Sequence, residues 1–173
     1  RMEKTGVASS SVCYKGFHPH LLGSGLYAGV RVDDTLRILE VHEKFSFTKN
    51  KMYTWQQAGT FYFRSGKLLK QYAAKSLKES KPINGEYYVS FMTDLIAKDN
   101  LRSLIYPVSY FCQWGMPEDL EEYNVWANAV KKNSINFAIP KLDRARYTKQ
   151  EDINRAFTYW KKFFKKMSIF VSS

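Results

Sequence analysis

Four short pieces of this sequence put polar or backbone groups where a small anionic ligand could be held. They are Glu43 and Lys44 in "HEK", Gly59 in "AGTFYF", Glu86 in "NGEYY", and Gln113 with Gly115 in "QWGMPED". A carboxylate accepts hydrogen bonds from hydroxyls, an ammonium ion holds a phosphate as a point charge, and a glycine lets backbone approach a ligand closely. Each residue also has a plain structural reading. Glu43 and Lys44 would be a surface charge pair at a strand end. Gly59 would be a bulge. Glu86 would favour the positive end of a helix whose N-cap is Asn84. Gln113 would be a core amide satisfied by backbone. What the four share is position: each falls at an expected strand end or helix start, where open α/β sheets bind ligands.

The elements that must position them follow from periodicity and punctuation. "TGVASSSVCY" (residues 5–14) reads as a buried strand of small and apolar residues. "KGFHPHLLGSG" reads as a loop. "LYAGVRV" and "LRILEVH" are β-rich runs separated by Asp33, Asp34 and Thr35, which is a hairpin signal. "EKFSFTKNKMYTWQQ" reads as a polar connection, and "AGTFYFRSG" as a strand ended by Gly66. Leu68, Leu69, Tyr72, Ala73 and Leu77 form a helical stripe. After Pro82 and Gly85, "EYYVSFMTDLIAKD" predicts a second amphipathic helix, with Tyr88, Phe91, Met92, Leu95 and Ile96 on its apolar face. "LRSLIYPV" and "SYFCQW" read as strands. Gly115 and Pro117 then open a helix to about Lys131, with Glu118, Asp119, Glu121 and Glu122 at its positive end. A long linker follows. The last helix is expected over residues 149–167, with Ile153, Phe157, Trp160, Phe164 and Met167 on one stripe. This order predicts an α/β domain with a mixed sheet flanked by helices.

Composition narrows the function classes. The chain has 173 residues, 45% of them hydrophobic, enough for a folded domain with a sizeable core. No apolar run reaches the length of a membrane span, and the start lacks the apolar core of a signal peptide. The first residue is Arg, followed by Met2, which suggests a tag remnant or a fragment of a longer chain. Cys13 and Cys112 are expected as buried reduced thiols of a cytoplasmic protein. No Cys/His cluster has zinc spacing, and His18 and His20, flanking Pro19 in a loop, are not expected to bind metal. The net charge is +11, and residues 131–166 hold eleven Lys/Arg against three Asp/Glu, which is +8 of that total. A solvated basic face, a phosphate-bearing small molecule and nucleic acid all fit such charge. No nucleic-acid-binding motif accompanies it, so nucleic acid is not the expected partner.

The run from Gly16 to Tyr123, roughly 60% of the chain, resembles the sugar-1-phosphate nucleotidyltransferases. The pieces that carry the resemblance are "LYAGVRVDDTLRILEVHEK", "AGTFYFRSGKLLK", "NGEYYVSFMTDLI" and "QWGMPEDLEEY", in that order. The last is similar to the family's Gly-Thr-Pro-Glu-Asp-Leu ending. The resemblance implies a Rossmann-like sheet and a reaction in which a sugar 1-phosphate oxygen attacks the α-phosphorus of a nucleoside triphosphate. Pyrophosphate leaves, and Mg²⁺ neutralises the phosphates. It implies that Lys44 is catalytic and holds the sugar phosphate, that Glu43 and Glu86 accept from sugar hydroxyls, and that Gly59 lets backbone reach the sugar. It implies a place beside the metal for the turn at residues 114–117.

Two substitutions depart from the pattern. Gln113 stands where many members have a metal-binding Asp, and Met116 stands where they have Thr. The family's Gly-rich triphosphate loop has no counterpart in this chain. The resemblance therefore implies the second, sugar-phosphate half of such an enzyme over residues 1–130, inactive without the nucleotide half, and a basic extension with an amphipathic helix over residues 131–173. The missing strands are expected beside residues 5–14, leaving an apolar edge and a tendency to form homo-oligomers. The apolar stripe of the last helix is expected to pack on protein rather than on a membrane. A catalytically inactive binding module of the same fold remains the alternative. Product use in surface-polysaccharide synthesis is the expected context.

Overall fold

Strand-forming runs alternate with amphipathic stripes along this chain, and a computed structural model, which describes residues 6–167, turns them into five strands and four helices. The strands are β1 (Ser9–Tyr14), β2 (Gly29–Val32), β3 (Ile38–His42), β4 (Trp55–Phe63) and β5 (Ser103–Val108). The helices are α1 (Gly66–Glu79), α2 (Val89–Lys98), α3 (Pro117–Lys131) and α4 (Gln150–Lys166). Two compact units result. One holds the N-terminal segment to Gly16 and Leu26–Ser109; the other holds Phe17–Gly25 and the chain from Tyr110 onward. In this division α3 and the loop at Phe17–Gly25 go with the C-terminal segment.

The first unit is a mixed sheet in the order β3-β2-β4-β1-β5, covered by α1 and α2. β1 runs antiparallel to β4 and parallel to β5. Its small residues suit a position with strands on both sides. Ser9, Ser10 and Ser11 are buried, and the Ser9 and Ser103 hydroxyls bond at 2.5 Å, so burial leaves them paired. This corrects the expectation of missing strands beside residues 5–14. The chain's own β4 and β5 occupy both edges of β1 (Thr5 lies outside the described residues).

The outer strands also meet partners of their own chain. Val41 N on β3 donates to the Asp94 carboxylate of α2 at 3.0 Å, and Asp94 is paired with Lys98. The sheet rolls far enough that Ile105 N on β5 donates to Leu36 O, just before β3. Pro107, which has no N–H to give, sits on β5, as proline in a sheet requires.

Helix registers differ from expectation at the ends. On α1, Leu68, Tyr72 and Ser76 face inward while Leu69 and Leu77 are exposed. The second helix starts at Val89, later than its pattern suggested, because Asn84 and Gly85 take positive φ angles of 52° and 79°. That pair builds a tight hairpin turn, with Ile83 and Glu86 exchanging both backbone bonds. Asn84 is therefore a turn residue and not an N-cap, and Glu86 precedes the helix.

The second unit has an aromatic core. Trp126, Tyr147, Tyr159, Trp160, Phe163 and Phe164 are buried together. Aromatic rings prefer edge-to-face contacts, and Trp160 meets Tyr159 at 90° and Phe163 at 88°. The inward face of α4 is wider than its predicted stripe, adding Ala156, Tyr159 and Phe163, while Met167 is exposed. Residues 132–149, read as a linker, fold instead into short 3₁₀ turns that bury Ala138, Leu142 and Tyr147. One polar network sits inside this core. Trp126 Nε1 donates to the Tyr147 hydroxyl at 3.2 Å, and Tyr147 and Arg146 both donate to the Glu122 carboxylate. "SYFCQW" forms no strand, and Cys112 is only partly buried. Its backbone is held by a side chain: Phe111 N and O both bond the Tyr159 hydroxyl, at 3.3 and 3.2 Å.

Trp126→Ala should lower the stability of this unit by about 3–5 kcal/mol, because it removes a fully buried ring and leaves a cavity. Urea unfolding followed by far-ultraviolet circular dichroism checks it, and an unchanged midpoint would overturn the assignment of Trp126 to the core.

Candidate functional site

Three of the expected site residues meet in the first unit. Glu43, Lys44 and Gly59 line one concavity of about 330 Å³, together with Gln57 of β4 and Tyr88 and Ser90 at the start of α2. That volume lies at the small end of those that hold small-molecule ligands.

Two glycines shape it. β3 ends at His42, and Lys44 then adopts a φ of 50°, which reverses the chain. The loop that follows passes β2 so closely that a Cβ on Gly29 would lie 2.4 Å from Phe45 O. Only glycine allows that approach, and it sets where Glu43 and Lys44 stand. Gly59 has a φ of 77° and no atom within 4 Å of where a Cβ would be. It marks a bulge: Ser11 pairs with Phe61 and Cys13 with Gln57, so three residues of β4 oppose Val12. The plain reading of Gly59 therefore holds. It is a bulge, and it leaves open space beside the pocket.

The charges are arranged around Tyr88. Lys44 Nζ lies 5.1 Å from the centre of the Tyr88 ring, a cation–π distance. The Tyr88 hydroxyl donates to the Glu86 carboxylate, and the Ser90 hydroxyl donates to that of Glu43. Glu86 stands outside the lining and reaches the pocket through Tyr88. Hydrogen bonding with Tyr88 first, then the charges of Tyr88, Glu86 and Glu43, holds the Lys44 ammonium above the usual lysine range.

Sequence reading missed Gln57. It is 3% exposed, and its Nε2 donates to Ser11 Oγ at 3.2 Å and Thr93 Oγ1 at 3.1 Å. Its Oε1 is buried and has no hydrogen-bond partner among the described residues. An unpaired buried acceptor costs about 1–3 kcal/mol, so a lining residue that leaves one open is suited to receive a ligand hydroxyl. β4 starts at Trp55, inside the segment read as a polar connection, and the available signal was an amide at the end of that segment, two residues before a glycine.

Gln113 lies in the second unit and does a structural job there. Its Nε2 donates to both oxygens of Asp119, at 3.1 and 2.9 Å, and Gly115 N and Met116 N donate to Asp119 Oδ2 at 3.2 and 3.1 Å. Asp119 thus closes the Gly-Pro turn and caps the start of α3. The Thr that Met116 replaces is not needed for this cap, because the carboxylate three residues into the helix reaches back to it. The donor set does not suit Mg²⁺, which takes carboxylate, phosphate and water oxygens in an octahedron. The one carboxylate in reach is already occupied by N–H donors, and no group of three His, Cys, Asp or Glu residues able to hold a metal occurs among the described residues.

No protein-family model matches this chain, and no curated protein matches it. Among solved structures, it is similar to the nucleoside-diphosphate-sugar pyrophosphorylase from Vibrio cholerae RC9, with a TM-score of 0.52 and 11% sequence identity. The match covers 70% of this chain and 47% of that one, so this chain corresponds to about half the length of that structure. The likeness shows the fold: a nucleotidyltransferase-like α/β arrangement of a mixed sheet with flanking helices. No described helix is long and apolar enough to cross a membrane.

Gly29→Ala should destabilise the first unit by about 1–3 kcal/mol, since the clash is with backbone and cannot be relieved by a rotamer change. Thermal unfolding measures it. A variant as stable as the parent would show that the approach of residue 45 does not depend on the glycine.

Proposed function

We propose that this chain provides the sugar-phosphate-binding part of a sugar-1-phosphate nucleotidyltransferase, whose product feeds surface-polysaccharide synthesis in the cytoplasm. One observation carries the reading: Glu43 and Lys44 after β3, and Gln57 and Gly59 on β4, line one concavity on a nucleotidyltransferase-like fold, and Gln57 Oε1 is buried with no hydrogen-bond partner among the described residues. A sugar 1-phosphate has hydroxyls at one end and an anion at the other. The pocket has matching parts.

In the reaction, a phosphate oxygen of the sugar 1-phosphate forms a bond to the α-phosphorus of a nucleoside triphosphate. The bond from that phosphorus to the bridging oxygen breaks, and pyrophosphate carries the electron pair away. Lys44 holds the attacking phosphate, and its ring contact with Tyr88 keeps the ammonium in place. Gln57 Oε1 accepts from one sugar hydroxyl, and the Glu43 carboxylate, steadied by Ser90, accepts from another. Glu86 acts through Tyr88 as a positioning residue. Fixed donors and acceptors contribute by orientation and by stabilising charge as it develops. In this reading triphosphate binding is assigned to a part of such an enzyme outside this chain, and Mg²⁺ has no assigned ligand here.

The engagement of Gln113 and Asp119 in a structural turn also suits a second reading, a binding module of this fold that takes the sugar phosphate without turning it over.

Calorimetric titration with glucose 1-phosphate tests the site. Lys44→Ala should weaken binding by about 10-fold or more, the loss expected for a hydrogen bond to a charged group. Gln57→Leu should blunt discrimination between sugar phosphates and leave inorganic phosphate binding alone. In a longer form that turns over substrate, Lys44→Ala should lower kcat/KM for the sugar phosphate by a similar factor; turnover absent from every longer form, with binding intact, selects the module. Equal affinity in wild type and Lys44→Ala would remove Lys44 from the site.

The pH dependence has a definite sign. Because the folded-state pKa of Lys44 is raised, its positive charge is present at neutral pH and lost only as pH rises past the shifted value. Lys44-dependent affinity should stay flat from about pH 7 to about pH 9. A decline over that interval in wild type that is absent in Lys44→Ala would contradict this.

A further inference from the structure

The second unit carries a separate concavity of about 410 Å³ along the exposed side of α4. Its walls include Phe17, Tyr110 and Tyr159, and its rim includes Glu151, Arg155 and Lys162. None of these belongs to the site in the first unit.

The rim residues are ordered by the helix. Glu151, Arg155, Thr158, Lys162 and Lys166 recur at intervals of three or four, which puts them on one stripe. The acid lies at the N-terminal end, and the cations lie toward the C-terminal end. Glu151 and Lys162 are separated by about 16 Å of helix at 1.5 Å per residue.

The rings and cations are interleaved. The Arg155 guanidinium stands 4.3 Å from the centre of Phe17, and Lys166 Nζ stands 5.6 Å from that of Tyr110. Lys162 lies between these cations on the stripe, is exposed, and has no ion-pair partner among the described residues. Phe17 and Tyr110 each meet Tyr159 edge-on, at 75° and 66°. Such a surface has apolar, polarisable walls for a flat ring, a free ammonium for an anion, and a carboxylate at the far end for an amino group.

We propose that this concavity is a nucleoside-phosphate site. A base would lie against Tyr110 and Phe17 with its exocyclic amine toward Glu151. The phosphates would extend toward Lys162 and Lys166. Rings beside cations suit bases joined to phosphates, because stacking and charge then act on one ligand. A bare phosphate would leave the aromatic walls unused. The basic excess of residues 131–166 draws anions to this unit.

Calorimetric titration of the chain with ADP, adenosine and pyrophosphate tests this, using wild type, Lys162→Glu, Thr158→Trp and Lys44→Ala. Residues 158 and 162 are exposed, so both α4 variants keep the core intact. ADP should bind more tightly than either adenosine or pyrophosphate. Lys162→Glu should weaken ADP by about 10-fold or more, as loss of a charged hydrogen bond predicts. Thr158→Trp, which fills the concavity, should abolish binding. Lys44→Ala should leave ADP unaffected. The proposal is overturned if pyrophosphate binds as tightly as ADP, if Lys162→Glu changes nothing, or if Lys44→Ala removes ADP binding. It is also overturned if a single-stranded oligonucleotide of about 20 nucleotides binds with an affinity that grows with length, the behaviour of a nucleic-acid track.

Discussion

The bulge in β4 is the constraint on which the candidate site depends. Three residues of that strand oppose Val12 on β1, and Gly59 makes the detour in a backbone conformation that other residues avoid. The detour returns the ladder to register with Gln57 opposite Cys13. From there the Gln57 amide reaches Ser11 and Thr93, and its carbonyl oxygen is buried with no hydrogen-bond partner among the described residues. A regular strand over the same residues would shift everything on one side of the bulge by two places, which would set Gln57 opposite Lys15 instead of Cys13. Pocket shape, the open acceptor and the space beside Gly59 thus follow from one irregularity.

The two units solve the problem of buried polar groups in different ways. In the first, small hydroxyls on neighbouring strands satisfy each other, as Ser9 and Ser103 do. In the second, the polar atoms of large aromatic side chains are gathered onto one carboxylate. Glu122 takes Tyr147 and Arg146, and Tyr147 in turn takes Trp126. Burial and the adjacent Glu122 charge push the Tyr147 hydroxyl pKa far up, so it stays a donor. Asp119 plays the equivalent part at the helix start, with three N–H groups converging on it. The "QWGMPED" turn is built as it is because a carboxylate two residues beyond the proline must fold back over it.

Net charge says where anions are drawn and not which anion is held. Lys44 and Lys162 show the difference. Lys44 is steadied by an aromatic ring and two nearby carboxylates. Lys162 has no ion-pair partner among the described residues and lies on an exposed stripe beside aromatic walls.

Much of the architecture was legible from pattern. Periodicity marked the strands and helices, the hairpin between β2 and β3, and the start of α3 at Pro117. The grouping of Glu43, Lys44 and Gly59 followed from a family resemblance in ordered short motifs. What pattern could not show was every feature set by contacts between distant residues. Residues 109–114 look like a strand but lack a strand to pair with, and a tyrosine from α4 holds their backbone instead. Residues 132–149 look like a linker because their apolar positions lack a period, yet Ala138, Leu142 and Tyr147 enter a core. Gln57 looks like the end of a polar connection until β4 and its partners are known. Local propensity and spacing determined which elements this protein has and where polar groups could cluster. Tertiary structure alone decided which edges are covered, which amide keeps an open acceptor and what Gln113 bonds, because burial and hydrogen bonding depend on residues far apart in the chain.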